Sequence, residues 1–527
     1  MTPRKIATFA IGPIGAAILG LLTLPVITWF FSQEDVGRIA MFQVTLSFGT
    51  LFFSLGLDQA YVREFHEAEN KPALLKRAML PGLLLLLIAI GVLLSFGGSM
   101  AGWLFDLPQW QLSVLVAVAL VASFTSRFLS LVLRMNERGL AFSMSQLLPK
   151  LLLLAIIGGY VAAGVDKDLT KLVLANAAAV TFVCVIYGWN TRAEWLAGIR
   201  TKLDVDQLKS MLRFGIPLIL GGLAFWGLTA IDKVFLRTLA SFEELGVYSV
   251  AVSFAAAAAI LQSVFSTVWA PMVYKWASTG QGLENVHKVS RYILALVVLG
   301  FSLAGLLSWV VTLFLPANYA DVQWIVVSCI GFPLLYTLSE TTVVGIGISR
   351  RSSFSMLAAV IAFAVNLAGN WLLIPTYGAA GAAVSTCVSF WVFFVLRTEF
   401  SIYLWKPIPR MLLYIYTGIS VAGAVVFTLW GKALGGWMVG FWVLMLGSWV
   451  VVFRGEIREA FGFVFKRRAA RGGRSNNWLQ RPRGDDPGCV NPGDPGALPP
   501  AKLRGSRECP YGNRYTNGSE CQWWTIH

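Results

Sequence analysis

The chain has 527 residues, 57% of them hydrophobic and only 13% charged, with a formal net charge of +15 at pH 7 and a mean hydropathy of +0.68. A water-soluble domain carries about 25% charged residues, so this composition excludes one. The cations are scattered over short segments and form no single basic face, which argues against nucleic acid as a partner and for anionic headgroups.

A helix needs about 20 apolar residues to cross a hydrocarbon core of about 30 Å. Runs of that kind are read in chain order over 6–31, 39–57, 79–104, 112–132, 143–162, 172–189 and 216–239, then over 247–269, 292–315, 322–346, 354–374, 379–395, 411–430 and 437–453. The expected fold is therefore all-α, a polytopic membrane protein of about 14 transmembrane helices. Arg4 and Lys5 precede the first run as they would in a signal peptide, but the run is too long and has no small-residue cleavage pattern, so it is read as the first helix. Pro13 and Pro25 in span 1 would let it bend. Lys and Arg number twenty-one on the N-terminus and even-numbered connections against five on the odd-numbered ones. That asymmetry places the even side, and both termini, in the cytoplasm. Cys184, Cys329 and Cys387 fall in spans and read as small apolar packing residues, with no disulfide framework or metal cluster implied.

The longest connection between spans, Asn190 to Gly215, alternates Trp195, Leu196, Ile199, Leu203, Leu208, Met211 and Leu212 with Arg200, Lys202, Lys209 and Arg213. This is the pattern of an amphipathic helix on a membrane surface, and Asp204 with Gln207 is placed to cap its second half. A repeat supports a division at the same point. Ser32-Gln33-Glu34-Asp35-Val36-Gly37 after span 1 matches Ser241-Phe242-Glu243-Glu244-Leu245-Gly246 after span 7, an offset of 209 residues. The expected organisation is an N-terminal lobe over 1–190, a linker over 191–215, a parallel-repeat C-terminal lobe over 216–396, two further spans over 397–455, and a basic tail over 456–527. After about Arg468 the tail is rich in Gly and Pro and is expected to be disordered.

The segment Gly56-Leu57-Asp58-Gln59-Ala60-Tyr61-Val62-Arg63-Glu64-Phe65, the two Ser-x-Glu-acid-x-Gly turns, Arg213-Phe214-Gly215-Ile216-Pro217 with the later Asp232-Lys233, and Pro375-Thr376-Tyr377-Gly378-Ala379-Ala380-Gly381-Ala382-Ala383 resemble bacterial polysaccharide exporters. Over roughly residues 1–455 the chain is similar to Wzx-type O-antigen flippases of the multidrug/oligosaccharidyl-lipid/polysaccharide exporter superfamily. The resemblance implies two six-helix lobes around a central cavity in the bacterial inner membrane. It also implies alternating access and transfer of an undecaprenyl-pyrophosphate-linked oligosaccharide to the periplasmic leaflet. Membrane lipids, a polysaccharide polymerase and a chain-length regulator would be its partners, with no cofactor. A lipid II flippase and a cation-coupled multidrug exporter of the same fold are the alternatives. The drug exporters typically carry an acid in the first helix, and span 1 here has no ionisable residue. A membrane glycosyltransferase or polymerase fits less well, because the external connections are each about ten residues or fewer and the three histidines lie in loops or the tail.

A lipid-linked pyrophosphate demands a cationic, wettable cavity. The cavity candidates are Arg127, Lys150 directly after Pro149, Lys233, Arg237, Asn366 and Asn370. Proline disturbs the preceding turn and leaves polar backbone available, while Arg127 and Lys150 have the alternative of snorkelling to an interface. Asn366 and Asn370 share one face of span 11 and either line the cavity or join helices. Asp58, Arg63, Glu64, Asp232 and Glu340 are the gating or coupling candidates. Asp58, Arg63 and Glu64 either form an inner gate by pairing with the opposite lobe or belong to a solvated loop face. Asp232 either partners a cation on another helix, serves ion coupling or has a structural role, and Glu340 has the same alternatives.

Overall fold

The computed structural model describes residues 3–96, 99–279 and 282–459. The tail expected to be disordered, with Cys489, Cys509 and Cys521, lies outside the described residues, as does the side chain of Pro13. The chain is built from helices: α1 (Pro3–Phe30), α2 (Gln33–Phe53), a short α3 (Leu57–Glu64), α4 (Lys71–Ser95), α5 (Ser99–Phe105), α6 (Trp110–Met135), α7 (Gly139–Ala162) and α8 (Leu169–Asn190). Then follow α9 (Arg192–Ile199), α10 (Val205–Leu239), α11 (Phe242–Thr279), α12 (Gly282–Leu307), α13 (Val322–Cys329), α14 (Gly331–Thr342), α15 (Val344–Ile348), α16 (Ser353–Leu404), α17 (Met411–Leu434) and α18 (Gly436–Val452).

Local chemistry starts these helices where the sequence predicts. The Ser32 hydroxyl accepts the Asp35 N–H at 3.1 Å, and the Ser241 hydroxyl accepts the Glu244 N–H at 3.2 Å, so both repeated turns cap a helix in the same way. Asp204 accepts from the N–H groups of Asp206 and Gln207, each at 3.1 Å, as its spacing suggests.

Eleven helices are long and apolar enough to cross a membrane, and two shorter apolar ones, Ile18–Phe30 and Gly436–Val452, accompany them among the described residues. The difference from the expected fourteen has a structural source. The runs read as spans 11 and 12 form one 52-residue element, α16, interrupted only at Gly378, where φ is +52° and ψ is −127°. An L side chain rarely adopts that conformation. The Glu244 carboxylate reaches across from α11 to accept the Ala379 N–H at 2.8 Å and caps the second segment.

In the linker Thr191 and residues 200–204 are non-helical, and the second half of the amphipathic pattern is the opening turns of α10, capped at Asp204. Helix α9 is pinned to α4 by Lys76, whose ammonium donates to the Ile199 carbonyl at 3.0 Å and the Thr201 carbonyl at 2.7 Å.

Helix packing repeats along the chain. Helix α1 packs on α7, as α10 packs on α16; α6 packs on α8, as α14 packs on α16; α2 packs on α6, as α11 packs on α14. Helices α17 and α18 lie against α12. The starts of α2 and α11 meet backbone to backbone. A Cβ added at Gly37 would sit 1.9 Å from the Phe242 carbonyl oxygen, and one added at Gly246 would sit 2.2 Å from the Gln33 carbonyl oxygen. Residues 33 and 37 map onto 242 and 246 at the 209-residue offset, so the contact is reciprocal, as across a two-fold axis. Small residues at such a crossing let helices gain van der Waals contact without a side chain between them.

Gly37→Ala is therefore expected to destabilise the protein by about 1–3 kcal/mol through overpacking. Gly91→Ala, which meets nothing within 4 Å, is expected to be neutral or stabilising by up to about 1 kcal/mol. Thermal unfolding of both variants in detergent checks the contrast.

Candidate functional site

Charges within the spans are held in four distinct ways. Arg127 of α6 donates from NH2 at 2.9 Å and Nε at 3.3 Å to Asp58 Oδ2. Asp58 is buried at the start of α3, while the Arg127 side chain remains 38% exposed. Asp58 thus pairs with a helix of the first half of the chain rather than with the second half, because the α2–α3 turn at Gly56 (φ +68°) directs it toward α6. Arg63 and Glu64, one to two turns on, do contact the second half. The Arg63 guanidinium lies 4.4 Å from the Phe214 ring centroid, and Gln207 donates to Glu64 at 3.2 Å.

Lys150, half-buried in α7, donates to the Ala16 carbonyl of α1 and makes no ion pair among the described residues. Arg237 is not a free cavity cation. Its NH2 pairs with Asp106 Oδ1 at 2.7 Å, and its guanidinium lies near the rings of Trp103 and Phe242. The sequence hid this because Asp106 belongs to a short turn after α5, far from α10 in the chain.

Lys233 behaves differently. It is half-buried and has neither a hydrogen bond nor an ion pair among the described residues. At about 100° per residue, Gly222, Trp226, Lys233 and Arg237 fall within one narrow arc of α10. Gly222 approaches Leu51 of α2, and the Trp226 indole N–H donates to the Ser47 hydroxyl of α2 at 3.1 Å, so that arc is turned toward α2.

Asp232, one residue earlier, is fully buried in a polar cluster between α10, α11 and α16. Its carboxylate accepts from Tyr248 Oη at 2.6 Å, from Asn370 Nδ2 at 2.7 Å and from Thr386 Oγ1. Asn370 also donates to Asn366 Oδ1 at 3.0 Å, and Asn366 donates to Thr386 Oγ1 at 3.3 Å. The two asparagines are themselves fully buried, so they join helices around Asp232 instead of lining an open cavity. Tyr248 and Thr386 complete the cluster but carry no sequence signal: each is an ordinary helix residue until a carboxylate is placed beside it. Asn370 Oδ1 is buried without a hydrogen-bond partner.

Glu340 accepts from Arg397 NH2 at 3.0 Å, and Arg397 NH1 donates to the Ser339 hydroxyl at 2.7 Å. The Arg397 guanidinium lies 5.0 Å from the Phe393 centroid and 5.4 Å from that of Tyr336. Sequence reasoning placed Arg397 beyond span 12. The structure buries it, because α16 continues to Leu404 and the paired, ring-stacked guanidinium is not a bare charge.

This arrangement, with apolar helices of membrane-crossing length and a few satisfied charges between them, is that of a multi-pass membrane protein. Solved structures share the fold. Lipid II flippase MurJ in an inward closed conformation is 13% identical with a TM-score of 0.64, covering 85% of this chain and 99% of that one. An inward-facing multidrug resistance MATE family transporter of the MOP superfamily is 12% identical with a TM-score of 0.54, covering 76% and 96%. A MATE transporter from Vibrio cholerae is 13% identical with a TM-score of 0.51, covering 75% and 95%. No curated protein matches the chain. A family model described as polysaccharide biosynthesis protein matches residues 4–276, and the chain belongs to that family. It is a multi-pass membrane protein of that family, with the fold these solved structures share.

Removing one member of a buried ion pair strands the other and costs about 3–5 kcal/mol. Glu340→Gln alone is thus expected to lower stability by about 3 kcal/mol, with the Glu340→Gln/Arg397→Gln double variant losing less than the sum of the two singles. Denaturant titration in detergent measures the coupling, and strict additivity would refute the pairing.

Proposed function

We propose that this transporter flips an undecaprenyl-pyrophosphate-linked oligosaccharide, an O-antigen or other surface polysaccharide repeat unit, from the cytoplasmic to the periplasmic leaflet of the bacterial inner membrane. The observation that carries this reading is Lys233, a cation inside a span with no hydrogen bond and no ion pair among the described residues and with the adjacent Asp232 already held by neutral donors. A charge within a span is costly, so one left without a hydrogen bond or ion pair is available to something that binds it. The family supplies the substrate class, and a pyrophosphate supplies the opposite charge.

In this reading the chain has fourteen spans, with both termini cytoplasmic by the distribution of Lys and Arg. Residues 1–190 and 216–396 form two six-helix lobes, and α17 and α18 are appended. The repeated packing of α1 on α7 and α10 on α16, and the reciprocal contact at Gly37 and Gly246, support that division. The lobes rock to expose the cavity alternately to either side. The contacts of Arg63 and Glu64 with α10 make them gate residues at the cytoplasmic end, and the Arg237–Asp106 pair acts at the periplasmic end. Arg127 and Lys150 contribute positive potential to the cavity. Asp232, held by hydroxyl and amide donors from α11 and α16, is the coupling site, because loading or unloading it alters the joint between α10, α11 and α16.

Lys233→Gln is expected to lower transport at least tenfold with unchanged protein abundance, while Lys432→Gln, in an exposed pair with Asp321, leaves it unchanged. Leaflet-resolved labelling of lipid-linked repeat units in a deletion strain complemented with each variant makes the measurement. Normal flipping by Lys233→Gln, or no cytoplasmic-leaflet accumulation in the deletion strain, rejects the reading.

A further inference from the structure

Helix α4 carries three cations, all near its start, and two of them are engaged. The Lys71 ammonium lies 4.5 Å from the Phe65 ring centroid, and Lys76 donates to the Ile199 and Thr201 carbonyls. Arg77 differs. Only 9% of the residue is exposed, its Nε and NH1 are enclosed without a hydrogen-bond partner, and no hydrogen bond, ion pair or ring engages NH2 among the described residues. NH2 is therefore the open corner of the group. The acids on the helices packed against α4 are held elsewhere. Glu194 of α9 accepts from Asn136 and Arg138 at 3.4 Å each, Asp58 and Glu64 of α3 accept from Arg127 and Gln207, and Asp206 of α10 pairs with Lys209.

A snorkelling arginine buries its stem and keeps its head in water. Here the head is the enclosed part, and an enclosed charge without a counter-charge is costly, so the site is completed by an anion. The place of Arg77 on α4 indicates which kind. It stands two residues before the apolar run over 79–104, at the level where headgroups meet hydrocarbon. Farther along the helix, Leu84 and Ile88 fall within about 20° of Arg77 around the axis, starting about 10 Å above it. They are 50% and 64% exposed, and α4 is long and apolar enough to cross a membrane, so this ridge is turned to lipid. An enclosed guanidinium at the foot of an open apolar ridge suits an amphiphile with a phosphate at one end.

We propose that Arg77 binds the phosphate of an anionic phospholipid in the leaflet at that end of the bundle, with the lipid's tails lying along Leu84 and Ile88. The charge of a guanidinium is delocalised over its three nitrogens, so a phosphate that accepts from NH2 at the open corner neutralises the whole group. A free phosphate would meet the same charge but gain nothing from the ridge. A neutral lipid would cover the ridge and leave the charge unpaired. Only a molecule with both parts satisfies both features. The site lies on the lipid-facing side of α4, and the inference stands independently of the transport reading.

The test titrates the full-length protein in an uncharged maltoside detergent with three probes: phosphatidylglycerol, diacylglycerol with the same tails, and inorganic phosphate. Native mass spectrometry reads the bound lipid. Phosphatidylglycerol is expected to bind the unmodified protein at least tenfold more tightly than diacylglycerol and to resist displacement by inorganic phosphate. Arg77→Met keeps an apolar stem and removes the charge. It is expected to bind phosphatidylglycerol at least tenfold more weakly at an unchanged thermal midpoint, while Arg192→Gln, which removes an exposed cation from α9, stays within twofold of the unmodified protein. Equal binding of phosphatidylglycerol by Arg77→Met and the unmodified protein overturns the site, as does an equal loss in Arg192→Gln. Displacement by inorganic phosphate assigns the charge to a soluble anion and overturns the lipid. Should Arg77→Met fail to fold, Arg77→Gln, which keeps a polar head without the charge, takes its place and the same outcomes decide.

Discussion

Within the hydrocarbon layer there is no water to satisfy a polar group, so each charge on a span must find its partner in the protein or remain costly. That constraint orders the interior of this chain. Arg127 has Asp58, Arg237 has Asp106, Arg397 has Glu340, and Asp232 has a ring of uncharged donors. Lys150 takes a backbone carbonyl of α1 instead of a carboxylate. Once these are settled, Lys233 stands apart as a span cation with neither a hydrogen bond nor an ion pair among the described residues, while Asp232 and Arg237 beside it on the same helix are engaged.

The two ends of the bundle are joined by different means. At the Ser32 end, α2 and α11 touch through Gly37 and Gly246, and Arg38 donates to the Phe105 carbonyl at 3.0 Å. At the opposite end, Gly56 meets Gly215 closely, with a Cβ at the former only 2.2 Å from the latter's carbonyl oxygen. Glycine at these crossings places backbone against backbone. Such joints form and part without a buried side chain having to find a new pocket, which suits surfaces that would separate in the proposed rocking.

Hydropathy made most of the helices legible. The spans read at 112–132, 172–189 and 411–430 lie within Trp110–Met135, Leu169–Asn190 and Met411–Leu434. It failed where a charge is neutralised by something distant. A hydropathy run ends at its first cation, so Arg397 falls outside span 12 on paper, whereas Glu340, 57 residues away, lets α16 carry it inward. Asn366 and Asn370 are visible as a pair on one helical face, but nothing local distinguishes a cavity wall from a helix joint. Their burial depends on Asp232, which lies 138 residues from Asn370. The candidate site was thus readable as a set of residues and unreadable as a set of partners, because partners are fixed by tertiary packing. Lys233 emerges only after the others have been paired off.

Under the proposed rocking, the cost of opening each joint follows from its exposure. The Arg237–Asp106 pair has one partner 63% exposed. A pair of that kind is worth about 0–1 kcal/mol, since water replaces the lost contact. The Asp232 cluster is wholly enclosed, and parting α10 from α16 there would leave a carboxylate and two amides unsatisfied at several kcal/mol. Motion that respects these magnitudes opens the Ser32 end and keeps α10, α11 and α16 moving as one body. A change at Asp232 then acts on the whole of that body. Lys233 rides on the same helix and moves with it, so the proposed headgroup contact and the proposed coupling cluster are joined through α10.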